Sequence, residues 1–249
     1  GFYAPFSHRV IDCKDCLLQP AEFSDILKIV AKWCEKYKIP TYDENTHKGL
    51  LRHIYIRKAF NTGEIMVCLV INGDRIFKAD ELISALTKAN SNIKTVLLNF
   101  NTEDTNVIMG KKEKVLYGKG YIEDILCGKR FRISPLSFYQ VNHAQAQRLY
   151  KQAAEFAITP DTKVLLDMYC GAGTIGLTMA DRVESLIGVE IVPEAVEDAK
   201  INAKINGTEN ARFICADAAE AAKTLEDEGI KPDTVILDPP RKGCDRALL

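Results

Sequence analysis

Asp167-Met168-Tyr169-Cys170-Gly171-Ala172-Gly173-Thr174-Ile175-Gly176 is the stretch that decides the fold. It follows the apolar run Val164-Leu165-Leu166 and contains G-x-G-x-x-G from Gly171 to Gly176. A β-run entering such a turn predicts the first β-α unit of an open parallel sheet. The glycines let a ligand approach the backbone, and the helix that follows offers unpaired N–H groups. Apolar runs and helical stretches then alternate: residues 185–191 (SLIGVEI), a helix through Ala203, residues 211–217 (ARFICAD), another helix, and residues 234–240 (TVILDPP). That alternation predicts parallel strands joined by helical crossovers.

Acids stand at the strand ends. Glu190 follows Gly171 by 19 residues, where a carboxylate can accept both hydroxyls of a ribose. A nicotinamide dehydrogenase has the same glycines and the same acid. Two further acids point elsewhere. Asp167 lies four residues before the first glycine, where it would repel a pyrophosphate but suits the ammonium of a methionine moiety. Asp217 ends the third β-run, where an acid can meet an adenine amino group, although a single acid there also fits a helix N-cap. Three acids in register with the glycine turn suit S-adenosylmethionine, which carries no phosphate. The fourth run ends in Asp238-Pro239-Pro240-Arg241-Lys242-Gly243. Its two prolines predict a stiff turn able to hold Asp238 against a planar base beyond the strand ends.

Upstream the pattern differs. Residues 21–38 predict an amphipathic helix with Phe23, Ile26, Leu27, Val30, Trp33 and Cys34 on one face. Residues 50–60 and 64–72 predict two strands around Asn61-Thr62-Gly63, residues 79–89 a helix and 94–99 a strand. Residues 111–132 are strand-like, broken by Gly118, Gly120 and Gly128. The expected organisation is a mixed α+β domain over 1–132, where RNA contact is expected, then a Rossmann-like α/β sheet over 133–249 with its cofactor at the glycine turn. A helix is expected over 142–158.

The 249 residues are 47% hydrophobic, enough for two cores. No run of about 18 apolar residues or export signal is found, so no membrane partner is expected and the expected location is cytoplasmic. The chain lacks a starting Met and is expected to be a piece of a longer product. Net charge is −1, but residues 1–130 hold 20 Lys and Arg against 16 acids, and residues 131–249 hold 13 against 18. An RNA-contacting surface is therefore expected in the first half. Arg52 and Arg57 are expected to suit phosphate better than His53 suits chemistry, and Lys111, Lys112 and Lys114 are more simply a solvated loop. His8, His47, His53 and His143 show no ligand spacing. The eight Cys are expected to be mostly reduced thiols.

Four segments resemble the RNA uracil-5-methyltransferases: Gly49-Leu50-Leu51-Arg52-His53; Ile133 through Asn142 (ISPLSFYQVN); Asp167 through Gly173; and Asp238 through Gly243. The resemblance implies that Gln140, Tyr169, Thr174, Glu190, Asp217 and Asp238 are cofactor-site positions, alongside Asp167, Gly171 and Gly173. Tyr169 is then expected to pack on the cofactor, with Gln140 and Asp238 near the methyl-transfer end. Phe138 and Arg241 are the expected substrate contacts, Phe138 by stacking on a base. The implied chemistry adds a Cys thiolate to uracil C6, so that C5 attacks the methyl sulfonium; a base then removes the C5 proton. The target base must first be flipped out. The family's nucleophilic Cys and basic Glu are expected beyond Leu249; neither Cys170 nor Cys244 matches the nucleophile. The chain is thus expected to complete its sheet only with added strands, and to be inactive alone.

Some members of this family carry a [4Fe-4S] cluster. Cys16, in Val10 through Leu17, resembles its fourth ligand, with the other three expected before Gly1. Cys13-x-x-Cys16 also fits half a zinc site or a redox pair. The cluster reading favours ribosomal over transfer RNA as the partner. Two alternatives stay open: an RNA amino-methyltransferase, against which Arg241 stands where such enzymes place an aromatic, and a non-catalytic RNA- or cofactor-binding module. Oligomeric state is not legible.

Overall fold

The computed structural model describes residues 1–7, 9–13, 16–241 and 243–244; His8, Lys14, Asp15, Lys242 and residues 245–249 lie outside it. The chain divides into two units, one of Gly1–Ala59 with Gly63–Ile122, the other of Phe60–Thr62 with everything from Glu123 onward. The division falls earlier than the 132/133 boundary expected from the sequence. The reason is the short hairpin 122–133, whose side chains Leu126 and Phe131 join the core of the second unit.

In the first unit, β1 (Phe2–Tyr3) and β2 (Val10–Ile11) pair antiparallel. Helix α1 (Ala21–Tyr37) follows, then β3 (Leu51–Lys58), β4 (Ile65–Ile71), α2 (Ala79–Ala89), β5 (Ile93–Phe100) and β6 (Lys112–Gly118). The four longer strands form one sheet in the order β3-β4-β5-β6; β4 and β5 run parallel across α2, and the other pairs are antiparallel. Ile65, Val67, Leu69 and Ile71 alternate onto one face and pack with Ile26, Val30 and Trp33 of α1 and Leu82 and Leu86 of α2. Phe23, Leu27 and Cys34, expected on the same stripe of α1, are half-buried at its margin.

Arg52 departs from expectation. Its guanidinium is buried, donates to the carbonyls of Asn101 (3.0 Å), Glu103 (2.8 Å) and Thr105 (3.4 Å), and lies over the Tyr42 ring. Arginine's fork of donors suits such a cluster of carbonyls, so this side chain organises a loop and is not presented to phosphate.

The second unit contains β7 (Ile122–Leu126, from Glu123 on), β8 (Lys129–Ile133), α3 (His143–Ala157), β9 (Val164–Met168), α4 (Thr174–Leu177), β10 (Ser185–Glu190), α5 (Pro193–Ile205), β11 (Ala211–Cys215), α6 (Ala218–Asp227) and β12 (Thr234–Leu237). Strands β9 to β12 form a parallel sheet in the order β11-β10-β9-β12. Side chains alternate to two packed faces. Leu165 and Leu186 meet Tyr150 and Ala154 of α3 and Ala203 of α5; Leu166, Met168, Ile187 and Val189 meet Ala221 and Leu225 of α6. Burial on both faces explains why these strands are near-continuous apolar runs. The order reverses between β9 and β12, which opens a crevice at their carboxyl ends. Among the described residues no helix is long and apolar enough to cross a membrane.

Candidate cofactor site

The turn after β9 is built on left-handed backbone. Tyr169, Gly171 and Gly173 have φ of 62°, 54° and 76°. Glycine takes this conformation freely, whereas Tyr169 holds it at a cost typical of a constrained site. The Cys170 N–H donates to the Val189 carbonyl at 2.9 Å and the Gly173 N–H to the Cys170 carbonyl at 2.8 Å, which ties the turn to β10. Helix α4 has only four residues; the Thr178 and Met179 N–H groups already donate to carbonyls three residues back. The helix expected after the turn is present but only one turn long, so a helix dipole contributes little here.

Close packing dictates two glycines. A Cβ on Gly176 would lie 2.8 Å from Asp167 Oδ2 and 2.7 Å from Leu186 Cδ1. On Gly188 it would meet the Phe213 ring at 2.5 Å and Cys170 Sγ at 3.0 Å.

The three acids occupy the expected strand ends. Asp167 is 1% exposed; its Oδ2 accepts the Gly176 N–H at 2.8 Å, and its buried Oδ1 has no partner among the described residues. Burial, then the charges of Asp238 and Glu190, push its carboxyl up to about 7 against the pull of the Gly176 N–H. Glu190 accepts the Gly171 N–H through Oε2 (3.0 Å) and the Val192 N–H through Oε1 (2.9 Å), so it shapes the turn as well as facing it. Asp217 caps α6: its Oδ1 accepts from Ala219 and Glu220, each at 2.9 Å. The cap geometry weighed for that acid in the sequence is thus realised through Oδ1, and no hydrogen bond to its second oxygen is found among the described residues. Pairing of Glu190 with Cys215, and an Ala216 N–H bond to the Glu190 carbonyl at 3.1 Å, bring Asp217 alongside Glu190.

Asp238 is exposed just after β12, whose Leu237 pairs with Met168. Its charge acts on both Asp167 and Tyr150. Arg241 is exposed on the proline turn. Thr174 Oγ1 shares a 3.2 Å hydrogen bond with the hydroxyl of Tyr150, a buried residue of α3 to which the sequence reading gave no role.

The ISPLSFYQVN segment is the last residue of β8 followed by a loop pinned at several points. Ser134 Oγ donates to Asp198 Oδ2 at 2.8 Å, the Tyr139 hydroxyl donates to Asp124 Oδ2 at 3.2 Å, and Asn142 caps α3. Asp124, fully buried, also accepts the backbone N–H groups of Phe60 (2.9 Å) and Asn61 (2.8 Å). His143 stacks on Phe60 and bonds to the Ile125 carbonyl, a packing role. Between these anchors Phe138 is 70% exposed, and Gln140 is half-exposed with no hydrogen bond to the glycine turn among the described residues. Asp124, Asp198 and Tyr150 were missed because a buried polar side chain whose hydrogen-bond partners lie far along the chain leaves no local motif.

Cys170 is buried behind Gly188, and burial pushes its thiol well above the usual range. Buried and held as a thiol, it lines the inner side of the turn. Cys13 and Cys16 are half-buried, and no three His, Cys, Asp or Glu side chains among the described residues converge as a metal site.

Residues 61–249 match the family model described as tRNA (Uracil-5-)-methyltransferase. A protein of Clostridium tetani described as an uncharacterized RNA methyltransferase is 44% identical over 249 residues, covering 100% of this chain and 54% of its own length. One of Halalkalibacterium halodurans, described in the same words, is 44% identical with the same coverage. The chain thus spans about half the length of the curated relatives it matches. The crystal structure of a Pyrococcus abyssi tRNA (uracil-54, C5)-methyltransferase in complex with S-adenosyl-L-homocysteine aligns with a TM-score of 0.78 at 25% identity, over 96% of this chain and 56% of that one. The second unit accordingly has a Rossmann-like methyltransferase sheet preceded by a smaller α+β unit, and the chain belongs to the tRNA (uracil-5-)-methyltransferase family.

Proposed function

We propose that the protein containing this chain methylates carbon 5 of uracil in RNA with S-adenosylmethionine held at the glycine turn. The carrying observation is the charge of the site. Asp167, Glu190, Asp217 and Asp238 line the strand ends around Gly171–Gly173, which repels a pyrophosphate and suits a cofactor bearing an ammonium and a sulfonium. The unpartnered, buried Asp167 Oδ1 is an acceptor awaiting a donor, as an ammonium is. Bound there, the cofactor supplies an electrophilic methyl group. Asp167 holds its amino group, Glu190 its ribose, Asp217 the adenine amino group, and Tyr169 packs on it. Thr174, with Gly171 and Gly173, fixes the turn; Gln140 and Asp238 face the methyl-transfer end. Phe138 and Arg241 take the flipped base and its strand. The thiolate that attacks C6 and the base that removes the C5 proton come from sequence beyond Leu249.

The finer readings are these. Ribosomal RNA follows from Cys16 as fourth ligand of a [4Fe-4S] cluster whose other thiolates lie before Gly1; the described residues supply no such set. Transfer RNA is the second reading, favoured by the substrate of the Pyrococcus abyssi neighbour. The reaction is placed in the cytoplasm.

The test takes the longer protein, reduced and anaerobic, with S-adenosylmethionine and unmodified ribosomal or transfer RNA, followed by nucleoside mass spectrometry. The expected product is 5-methyluridine in one RNA. Methylated adenosine or guanosine makes the protein an amino-methyltransferase; no methylation leaves a binding module. Binding of NAD in place of S-adenosylhomocysteine restores the dehydrogenase reading.

A further inference from the structure

The outer edge of β8 is met by a helix. Along β8 and its exit, Arg130, Arg132 and Ser134 stand two residues apart; along α5, Asp198, Asn202 and Asn206 stand four apart. Four helical residues rise about 6 Å and two strand residues about 6.6 Å, so the two rows keep step. Asn206 Oδ1 accepts the Arg130 N–H at 2.8 Å, and its Nδ2 donates to the Arg130 carbonyl at 2.7 Å. Asn202 Oδ1 accepts the Arg132 N–H at 2.8 Å, and Asp198 accepts from the Ser134 hydroxyl at 2.8 Å. Side chains of one helix thus do the work of a neighbouring strand.

Asn202 does one thing more. It is fully buried, and its Nδ2 donates at 3.0 Å to the carbonyl of Ala172, between the two glycines of the cofactor turn. The chemistry fixes the orientation of the amide, since the backbone N–H of Arg132 requires an oxygen and the Ala172 carbonyl requires an N–H. An amide taken out of water is tolerated only when both ends are paired, and here each end is paired to a different element.

We infer that Asn202 is a positioning residue that couples the glycine turn to the strand leading into the 134–141 loop. The inference rests on the reading of the turn as the S-adenosylmethionine site. A single amide sets the spacing between the turn and β8, whose next residues carry Phe138 and Gln140.

The test uses S-adenosylhomocysteine, calorimetry and thermal melting on the longer protein that contains this chain, with Asn202→Asp and Asn206→Asp compared. Asn202→Asp keeps the acceptor for Arg132 and sets an oxygen against the Ala172 carbonyl; Asn206→Asp makes the equivalent change against the Arg130 carbonyl, away from the turn. Both are expected to lower the melting temperature, but only Asn202→Asp is expected to weaken S-adenosylhomocysteine by about tenfold or more, with Asn206→Asp within about twofold. Asn202→Ser is carried alongside, with the same expectation, so that a variant that does not fold leaves the comparison standing. Equal weakening by both aspartates, or full affinity in Asn202→Ser, overturns the coupling while leaving the cofactor site intact. Absence of S-adenosylhomocysteine binding by the unaltered longer protein overturns both the coupling and the function on which it rests.

Discussion

The Gly176 N–H donates to Asp167 Oδ2 at 2.8 Å, and a methyl group added to Gly176 would fall the same distance from that oxygen. The glycine therefore serves helix–strand contact, not turn flexibility. Gly176→Ala forces Asp167 and Leu186 apart, an overpacking cost of about 1–3 kcal/mol. Thermal melting with and without S-adenosylhomocysteine is expected to show a lower melting temperature and a ligand-induced rise smaller than that of the unaltered chain. An unchanged rise would mean that Asp167 does not touch the ligand.

The titration of Asp167 gives a second prediction. Its carboxyl is raised from an ordinary 3.8 to about 7 in the folded protein, so between those values the folded chain holds a proton that the unfolded chain has lost. Stability from this group is full below about pH 4 and falls as pH rises through about 7. Asp167→Asn is expected to flatten that decline in denaturant melts at pH 5, 6 and 7. A cationic amino group binds the ionised form, so S-adenosylhomocysteine affinity is expected to rise over the same interval, with proton release seen as a buffer-dependent heat. A decline that survives Asp167→Asn would assign it to another group.

Asp217 carries two roles that substitutions separate. Asp217→Ala removes the acceptor for the Ala219 and Glu220 N–H groups and is expected to cost about 0.5–2 kcal/mol in chemical denaturation. Asp217→Asn keeps a cap and removes the charge; it is expected to melt within about 0.5 kcal/mol of the parent and yet bind S-adenosylhomocysteine more weakly. If Asp217→Asn binds normally, the acid is a helix cap and nothing else.

What the sequence discloses follows from how local each interaction is. The glycine turn, the acids at the ends of β10 and β11, and the strand–helix alternation are legible because each depends on residues close in the chain. The shortness of α4 was not: the four-residue helix gives way to bonds reaching only three residues back at Thr178 and Met179, which no local pattern announces. Arg52 lies in a strand with exposed-looking charge, yet its partners are carbonyls 49 to 53 residues away. Leu126 and Phe131 look like any strand residues, and only their core shows that the hairpin belongs with the methyltransferase sheet. Asn202 and Asn206, ordinary in composition, acquire meaning only when β8 is laid beside α5.

The loop between β8 and α3 divides its labour between adjacent aromatics, and the last prediction separates them. Tyr139 is bound to the buried Asp124, whose carboxylate also holds the Phe60 and Asn61 N–H groups. Tyr139→Phe removes one hydrogen bond to a charged group and is expected to cost about 1.5–3 kcal/mol in chemical denaturation. Asp124→Ala leaves three donors unpaired and is expected to cost more. The two changes share a partner, so the double variant should be less destabilised than their sum. Phe138 projects outward, 70% exposed, and Phe138→Ala is expected to change stability by no more than about 0.5 kcal/mol. Its effect belongs to RNA: loss of one base stack, about 1–3 kcal/mol, is expected in the binding of uracil-bearing RNA to the longer protein. Should Phe138→Ala destabilise the fold and leave RNA binding untouched, the ring would be a packing residue and Tyr139 the better candidate for the base.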